Sequence, residues 1–415
     1  MNAPGRGSPL ISSLALNPVI VARPPARLAL ARLVLHGFRG YEAVRLRLGP
    51  EPVVLTGPNG AGKTNLLEAI SYLSPGRGLR NARLSEILRD GGVLTVSPRQ
   101  ISSAASLRQW SVAATVLTPR GEVEIASGFE ADDSATERRR VRVDGQNAGG
   151  QAALAEHLAM VWLTPTMDRL FVEGPPARRR FLDRLVFALD PAHAGRTLAF
   201  ERGRRARARL LAEGRFDDAW LGAIEHDMAE RAVAIAAARL DLIARLDGAI
   251  AETDGSFPKP APLANGMIEA WLDACPALET EERYRRHLAA MRRRDAEAAS
   301  CDGPHRSDLE VRFAMTGRHA EHCSTGEQKA LLIALVLAHA RLIERLKGAA
   351  PILLLDEVVA HLDEARRRDL IDQLLALNSQ VWLTGTEPET FAKLSGLARF
   401  FSVRHATVTE EFHRV

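Results

Sequence analysis

The spacing of apolar side chains changes twice along the chain. Up to residue 143, short apolar runs with a two-residue period predict strands, and turn residues such as Asp144-Gly145 follow them. From residue 166 to residue 300, long segments rich in alanine, leucine, arginine and glutamate have the 3.6-residue period of helices. After residue 301, short apolar runs and helical segments alternate again. The pattern predicts an α/β fold, with a mixed sheet and helices, into which an α-helical lobe is inserted.

The predicted elements follow from these patterns. The predicted strands cover residues 28–35, 44–48, 52–56, 112–116, 122–126, 141–143, 309–315, 352–355 and 380–384. The predicted helices cover residues 65–73, 176–189, 194–213, 216–246, 281–299, 327–347 and 364–377, and Thr280 is the predicted N-cap of the fifth. Residues 254–266 contain three prolines and two glycines, which predicts a loop. The predicted domains are a flexible extension (1–26), a first α/β part (27–165), the helical lobe (166–300) and a second α/β part (301–415).

Length and composition set limits on the class of protein. A chain of 415 residues exceeds the usual size of a single core, which supports more than one domain. Its 55 basic and 51 acidic side chains give a net charge of +4, which permits a nucleic-acid partner without requiring one. The three cysteines show no paired metal-ligand spacing, so we expect a reducing, cytoplasmic location and neither a disulfide framework nor a zinc site. No apolar run reaches the about 20 residues of a membrane span.

A phosphate-binding loop is the strongest chemical signal in the sequence. The segment Gly57-Pro58-Asn59-Gly60-Ala61-Gly62-Lys63-Thr64 matches G-x-x-x-x-G-K-[ST] at every specified position. Glycines allow backbone N–H groups to turn toward phosphates, and the helix that follows presents its positive end. Because a predicted strand precedes the loop and a predicted helix follows it, an ordinary glycine turn is the weaker interpretation. We expect Lys63 to contact the β- and γ-phosphates of ATP and the Thr64 hydroxyl to bind Mg²⁺.

Two acids end a very apolar predicted strand. Asp356 and Glu357 directly follow residues 352–355. Charges at the carboxyl end of a buried parallel strand lie where α/β folds bind ligands. Alone, the pair is more simply explained as acids that cap a helix N-terminus. Together with a phosphate loop it predicts Asp356 as a Mg²⁺ ligand and Glu357 as the general base that polarises the attacking water.

A third segment, Cys323-Ser324-Thr325-Gly326-Glu327-Gln328-Lys329, begins a strongly helical run. Ser324 and Gly326 at the helix start provide an anion-binding cap, although this pattern in isolation is usually only an N-cap. Two nucleotide-binding ends in one chain suggest that two molecules sandwich the ATP. Each molecule would then offer Ser324 and Gly326 in trans to the phosphate loop of the other.

These segments together resemble the ABC-type ATPases of the SMC-like group. The resemblance includes the phosphate loop, Ser324-Thr325-Gly326, Asp356-Glu357 and Ala360-His361-Leu362-Asp363. More narrowly, from about residue 33 to the C-terminus the chain resembles the RecF family of bacterial DNA replication and repair proteins. Segments that general ABC proteins lack carry this closer resemblance: Phe38-Arg39-Gly40-Tyr41, Gly174-Pro175-Pro176-Ala177-Arg178-Arg179-Arg180-Phe181-Leu182-Asp183 and Gly303-Pro304-His305-Arg306-Ser307-Asp308-Leu309.

The resemblance implies a P-loop ATPase head without a long coiled coil, and the sequence shows neither sustained heptads nor a C-x-x-C hook. It implies ATP and Mg²⁺ as cofactors, Lys63, Asp356 and Glu357 as catalytic residues, Arg39 as a further ATP contact and Asp363 as the D-loop residue. It also implies an ATP-dependent homodimer, weak DNA-stimulated hydrolysis and binding to DNA near single-strand gaps. RecO and RecR are the implied protein partners, and recombinase loading and support of the SOS response are the implied roles.

Several positions depart from the family pattern. Thr325 and Glu327 replace the more usual glycine and glutamine, and Ser307 stands where RecF proteins commonly carry aspartate. Thr384-Gly385-Thr386 offers no histidine where transporter ATPases place their switch histidine, which weakens any expectation of fast turnover. The alternatives are a transporter ATP subunit, a clamp that binds ATP without hydrolysing it, and the head of another SMC-type DNA complex, including the ATPase partner of a repair nuclease.

Apart from the family resemblance, the support for DNA binding comes from clusters of arginines. The clusters are Arg202, Arg205 and Arg209 with Arg204 and Arg207 nearby; Arg292, Arg293 and Arg294; and Arg178, Arg179 and Arg180. Such clusters neutralise phosphates, but each is somewhat more simply explained as a solvated helix face paired with acids. Few aromatic residues lie among them, which favours backbone contact over base stacking. The sequence therefore predicts no individual DNA-contacting residue.

Overall fold

The computed structural model describes residues 27–89, 109–131, 137–360 and 362–411. The strands in these ranges are β1 Ala29–Phe38, β2 Tyr41–Arg47, β3 Val53–Thr56, β4 Gln109–Thr118, β5 Gly121–Glu130, β6 Arg140–Val143, β7 Gln146–Asn147, β8 Met160–Leu163, β9 Pro260–Asn265, β10 Asp308–Phe313, β11 Ile352–Leu355, β12 Val381–Gly385, β13 Arg399–Arg404 and β14 Thr407–Glu411. The helices are α1 Lys63–Ser71, α2 Pro175–Leu189, α3 Ala192–Ala212, α4 Asp218–Ala251, α5 Met267–Ala274, α6 Ala277–Ala290, α7 Arg292–Ala298, α8 Thr325–Lys347 and α9 Glu364–Ala376. His361 and the predicted extension of residues 1–26 lie outside the described residues.

A six-stranded sheet in the order β14-β13-β3-β12-β11-β8 forms the centre of the molecule. Its strands from β13 to β8 are parallel, and β14 pairs antiparallel with β13. Both faces are covered, because alternate side chains belong to different hydrophobic clusters. Val54 and Leu353 pack in the cluster that contains α8, whereas Val53 and Leu354 pack in the cluster that contains α1. Burial on both faces explains why β3 and β11 are continuous apolar runs in the sequence.

A second six-stranded sheet, in the order β2-β1-β4-β5-β6-β7, is antiparallel. Along β4, buried residues alternate with half-exposed ones, as expected when one face packs and the other meets solvent. The buried side chains Trp110 and Val112 join the same cluster as Leu66 of α1. The antiparallel sheet therefore packs against the helix that follows the phosphate loop, and its β1–β2 turn holds Arg39 near that helix.

The predicted α-helical lobe consists mainly of α2 to α7. Its outer part has its own apolar cluster around Phe200, Met228 and Tyr284. The C-terminal half of α4 joins the main core through residues such as Leu246, which packs in the cluster of α8. None of the helices in the described ranges has the length and apolar character needed to cross a membrane.

Two buried arginines hold the helices of the lobe together. Arg207 of α3 donates to Glu225 at 2.9 Å and to Asp295 at 2.8 Å. Arg239 of α4 donates to Asp183 at 2.9 and 3.0 Å. Each arginine is 2% exposed, so removing one partner would leave a buried charge without compensation.

The α/β fold with a mixed sheet is confirmed. The loop predicted at residues 254–266 is present at residues 254–259 but wrong for the residues that follow. Residues 260–265 form β9, which pairs antiparallel with β10 in a two-stranded sheet. Only alternate residues of such a ladder donate to the partner strand, so Pro260 and Pro262, two residues apart, leave the pairing intact. The two-stranded sheet also joins the predicted helical lobe to the second α/β part.

The predicted single helix 281–299 is also wrong. The structure has two helices there, α6 and α7, and the backbone breaks between them at Met291. Thr280 is not an N-cap, because α6 begins at Ala277 and the Thr280 hydroxyl donates back to the carbonyl of Pro276 at 3.1 Å. The strands β7, β8, β9, β13 and β14 and the helix α5 were not predicted from the pattern.

Candidate nucleotide site

The phosphate loop connects the buried strand β3 to α1, which begins at Lys63. Gly57, Gly60 and Gly62 have φ angles of 143°, 79° and 116°, in the region that favours glycine. A Cβ atom at Gly57 would lie 2.2 Å from the carbonyl oxygen of Val403, and one at Gly62 would lie 2.8 Å from the Tyr41 hydroxyl. The loop therefore requires glycine at these places for its backbone conformation and for close packing.

Lys63 crosses its own loop. Its Nζ donates to the carbonyl oxygens of Gly57 at 2.6 Å and of Pro58 at 3.0 Å. Burial lowers the pKa of Lys63, whereas the nearby carboxylates of Glu357 and Asp356 act to raise it. The ammonium group thus lies between the phosphate loop and the two acids at the end of β11.

Asp356, which follows β11, connects the first turn of α1 to the carboxyl end of β12. Its carboxylate accepts hydrogen bonds from the Thr64 hydroxyl at 2.8 and 3.1 Å, across 292 residues of sequence. The Thr384 hydroxyl, at the end of β12, donates to Asp356 Oδ1 at 2.8 Å. Burial raises the pKa of Asp356, and the two hydroxyl hydrogen bonds oppose this. The carboxylate is therefore partly desolvated and held by the residue predicted to share its metal ion.

The donors of Thr64 and Asp356 fit Mg²⁺. A hydroxyl and a carboxylate are hard oxygen ligands, and this ion usually takes one or two such protein ligands beside water and phosphate oxygens. The two side chains already lie within hydrogen-bonding distance. We therefore predict that Thr64 and Asp356 share a Mg²⁺ ion.

Glu357 has a left-handed backbone conformation, with φ of 51°, which is uncommon outside glycine. Its backbone N–H donates to the Thr384 hydroxyl at 2.8 Å. The side chain is partly exposed at the carboxyl edge of the sheet. This conformation places Glu357 beside the phosphate loop with its carboxylate accessible, as a general base requires.

Ser324 and Gly326 lie at the N-terminal end of α8 and are exposed. Ser324 forms a capping box with Glu327: the Ser324 N–H donates to Glu327 Oε2 at 2.8 Å and the Glu327 N–H donates to Ser324 Oγ at 3.3 Å. The hydrogen bond from the Ser324 backbone lowers the pKa of Glu327. Within the described residues no hydrogen bond joins this end of α8 to the phosphate loop of the same chain.

Asp363 is the N-cap of α9 and accepts from the backbone N–H of Arg366 at 2.8 Å. Its side chain is exposed on the segment that follows Glu357. Lys329 of α8 donates to the carbonyl oxygen of Ala360 at 2.9 Å and so fixes this segment to the helix of Ser324. Two exposed helix starts, those of α8 and α9, are thereby linked.

Arg39, the predicted further ATP contact, binds a buried acid. Its Nε and Nη2 donate to Glu68 at 2.9 and 2.7 Å, and the Glu68 side chain is fully buried on α1. Arg80 donates to the same carboxylate at 3.2 Å. The pairing with Glu68 fixes the orientation of Arg39 and places it one helical turn beyond the phosphate loop. The Arg39 side chain remains 22% exposed.

Three contributors to the site were not found from the sequence. Thr384 bridges Asp356 and Glu357, and Tyr41 donates its hydroxyl to the Gly62 carbonyl at 3.0 Å. The turn between β13 and β14 lies against the phosphate loop, where the Ala406 N–H donates to the Ala61 carbonyl at 3.0 Å. Arg404 and His405 of this turn line a pocket with residues 58–61. Thr384 was detectable as a polar residue ending an apolar strand, but nothing local marks Tyr41 or the turn.

Most of the arginines in the predicted clusters are engaged within the fold. Arg178 binds Asp308, Arg179 donates to the Ser307 carbonyl, Arg204 binds Glu201, Arg207 and Arg292 bind Glu225, and Arg294 binds Asp302. The unusual Ser307 donates to Glu269 at 2.9 Å. Arg180, Arg202, Arg205 and Arg293 are exposed and have no ion-pair partner in the described part of the chain.

Comparison with known proteins identifies the family. Residues 29–409 match the family model of the RecF/RecN/SMC N terminal domain. The chain is 46% identical over 389 residues to the DNA replication and repair protein RecF of Rhizobium rhizogenes, covering 93% of this chain and 100% of the relative. It is 47% identical over 388 residues to the protein of that name from Mesorhizobium japonicum, covering 92% and 98%.

A solved structure of the recombination mediator protein RecF-ATPrS in the RecFOR pathway has a similar fold. The TM-score is 0.78 at 21% identity, and the match covers 93% of this chain and 99% of that chain. The ATP form of that mediator gives a TM-score of 0.76. The fold is therefore that of an ABC-type ATPase head, and the chain belongs to the RecF family.

Proposed function

We propose that this protein is an ATP-dependent DNA-binding protein of replication and recombinational repair, in which ATP controls assembly on DNA. The observation that carries the proposal is the contact of Thr64 with Asp356, which joins the phosphate loop to the acids at the end of β11. Relatives named as DNA replication and repair proteins support the DNA partner. The resemblance further supports RecO and RecR as partners, recombinase loading at single-strand gaps and a contribution to the SOS response.

ATP binding follows from the chemistry of the loop. Lys63 neutralises the β- and γ-phosphates, and the loop N–H groups together with the positive end of α1 bind the phosphate oxygens. Mg²⁺, held by Thr64 and Asp356, would neutralise the charge that develops during phosphoryl transfer. Glu357 orients the attacking water and accepts its proton. Each chain holds one such half-site.

The exposed ends of α8 and α9 support an ATP-dependent homodimer. Ser324 and Gly326 offer an exposed helix start that no hydrogen bond joins to the phosphate loop among the described residues, and Asp363 lies on the linked segment. A second molecule placing this end on the γ-phosphate would complete the site. Slow hydrolysis of ATP then allows the dimer to dissociate, so the rate of hydrolysis sets the lifetime of the assembly.

The test compares wild type with Lys63→Arg and Glu357→Gln. We expect DNA-stimulated ATPase in the wild type, no ATP-dependent dimer with Lys63→Arg, and a trapped ATP dimer with Glu357→Gln. Lys393→Arg and Glu230→Gln, which change exposed residues of the same types away from the phosphate loop and the starts of α8 and α9, are the matched controls. A Glu357→Gln protein that binds ATP but stays monomeric by light scattering would contradict the sandwich. Wild-type dimerisation with no measurable hydrolysis would instead favour a clamp that does not hydrolyse ATP.

A further inference from the structure

The solvent side of α3 carries a row of arginines, which we call the arginine face: Arg202, Arg205 and Arg209. Their spacing of three and four residues places them on one side of the helix, over about 10 Å of its axis. All three are exposed, and the Arg209 side chain is 81% exposed. Like charges at this spacing oppose helix formation, so the row costs stability unless a ligand neutralises it.

The arginine face differs from the other arginines of α3. Arg204 binds Glu201, and the buried Arg207 binds Glu225 and Asp295. Arg202 and Arg205 form no ion pair or hydrogen bond with any described residue. The inward arginines therefore hold the lobe together. Of the arginine face, Arg202 and Arg205 are free to bind a polyanion, and Arg209 forms only an exposed pair with Glu213.

Two exposed aromatic residues follow at the connection from α3 to α4, and we call them the aromatic tip: Phe216 and Trp220. They are 46% and 49% exposed. Large aromatic side chains at this exposure are costly in water and commonly mark a binding surface.

A series of contacts links the aromatic tip to the arginine face. Arg209 lies 3.4 Å from Glu213, Arg215 lies 3.7 Å from the same carboxylate, and the Arg215 guanidinium lies 5.0 Å from the centre of the Trp220 ring. Glu213 is thus shared by two arginines, so the combined surface keeps a positive balance.

The acids at the start of α4 are engaged in the fold. Asp217 accepts from the Trp220 N–H at 2.9 Å as the helix N-cap, and Asp218 binds Arg292. These contacts hold the acids and fix the backbone of Trp220. The Trp220 ring therefore lies in the first turn of α4, beside Arg215, which shares Glu213 with Arg209.

A row of cations that leads to exposed aromatic rings is the combination that binds single-stranded nucleic acid, because phosphates meet the cations and unpaired bases stack on the rings. We propose that the arginine face and the aromatic tip bind single-stranded DNA, with phosphates along α3 and a base stacked on Trp220. This assignment rests on the proposed function. It replaces the expectation that aromatic stacking is unimportant near these arginines. In a duplex the bases are paired and stacked on one another, so no base is available to stack on the aromatic tip.

The test uses the full chain with ATP and fluorescence anisotropy on a single-stranded oligonucleotide and on the matching duplex. Arg202→Ala/Arg205→Ala should reduce the slope of log affinity against log salt by about 1.4 for the single strand, about 0.7 for each lost phosphate contact. Trp220→Ala should weaken single-strand binding by roughly tenfold, without changing that slope or duplex binding, and Trp220→Phe should restore most of it. Arg245→Ala, at an exposed arginine paired with Asp241, and Leu278→Ala, at an exposed apolar residue of α6, are the controls.

Single-strand binding by both variants equal to the wild type, with dimerisation and ATPase retained, would overturn the assignment. Loss of ATP-dependent dimers in Trp220→Ala would also overturn it and would make the tip a contact between protein chains. A wild-type protein that neither dimerises on ATP nor binds any DNA would instead count against the proposed function itself.

Discussion

The Thr384 hydroxyl donates a 2.8 Å hydrogen bond to Asp356 Oδ1. The Thr384 hydroxyl oxygen in turn accepts a hydrogen bond from the backbone N–H of Glu357 at 2.8 Å. Because β12 lies between β3 and β11, Thr384 stands at the centre of the carboxyl edge and holds both acids. Thr384 thus fixes both acids from the end of β12. In transporter ATPases the switch histidine is expected just after the corresponding strand, where this chain has Gly385-Thr386.

Replacing Thr384 by valine keeps the shape and removes the hydroxyl. We expect Thr384→Val to lower the free energy of unfolding by about 1–3 kcal/mol, because a buried carboxylate oxygen and a buried N–H lose their partner. ATP hydrolysis should fall by tenfold or more as the acids lose their orientation. Urea denaturation and a steady-state ATPase assay measure the two effects. Thr384→Ser should retain wild-type stability and ATP hydrolysis. A Thr384→Val protein with wild-type turnover would show that Thr384 does not orient the two acids.

Variants of Arg39 and Glu68 can distinguish a structural role of Arg39 from a role in ATP binding. Arg39→Ala leaves the buried Glu68 with Arg80 alone, so we expect a loss of about 3 kcal/mol in the free energy of unfolding. Adding Glu68→Gln removes the buried charge and should restore much of that stability. If Arg39 also contacts ATP, the double variant should regain stability but still bind ATP weakly in calorimetry. Recovery of full ATP affinity in the double variant would limit Arg39 to a structural role.

The buried Asp356 should cost stability in the absence of a ligand. Burial raises its pKa, which means that the folded protein disfavours the ionised form at neutral pH. We expect Asp356→Asn to raise the melting temperature by a few degrees without nucleotide, and to abolish the additional stabilisation by Mg²⁺ and ATP. Thermal unfolding with and without Mg·ATP measures both, and Asp241→Asn, an exposed acid of α4, is the control. A lower melting temperature of ligand-free Asp356→Asn would show that the carboxylate contributes stability instead.

Acid should destabilise the protein through buried histidines. Burial lowers the pKa of His339 to about 3 and that of His305 to about 4, against about 6.5 in an unfolded chain. Below pH 6.5 the unfolded state therefore binds protons that the folded state excludes, and the free energy of unfolding falls by up to about 1.4 kcal/mol per pH unit for each histidine. Urea denaturation at pH 7.5, 6.0 and 5.0 gives this slope.

The variant His339→Gln isolates one of these contributions. His339 Nε2 donates to the Leu185 carbonyl at 2.9 Å, and a glutamine amide retains a donor without titrating. The stability of His339→Gln should fall less steeply below pH 6.5 than that of the wild type. An unchanged slope would show that His339 is not responsible for the acid sensitivity.

The parts of the site that depend on contiguous sequence could be predicted. The phosphate loop lies between β3 and α1 as expected, and Asp356 and Glu357 follow β11, because each motif needs only a strand and its next few residues. The start of α8 was also predictable, since a serine three residues before a glutamate is a capping-box pattern.

The contacts made between distant segments could not be predicted. Thr384 and the turn at Arg404 reach the loop through the pairing of β12 and β13 with β3, strands far apart in sequence. Tyr41 reaches the loop because the antiparallel sheet packs against α1. No local pattern records such contacts. Trp220 was overlooked for a related reason: it follows the arginines of α3 by a turn and a helix start, so its closeness to them depends on how the two helices meet. Strand β9 was missed because local proline content outweighed its pairing with β10.

The pairing of β3 also sets a constraint on the order in which the protein folds. Its partners in the parallel sheet, β12 and β13, begin at residues 381 and 399. A ribosome makes β3 early, yet the strands that flank it emerge only with the last tenth of the chain. During synthesis the apolar strand β3 therefore has two unpaired edges until residues 381–404 are made, and we expect the incomplete chain to aggregate more readily than the full chain. A chain that ends before residue 381 lacks Thr384 and both strands that pair with β3, so we expect it not to form the nucleotide site.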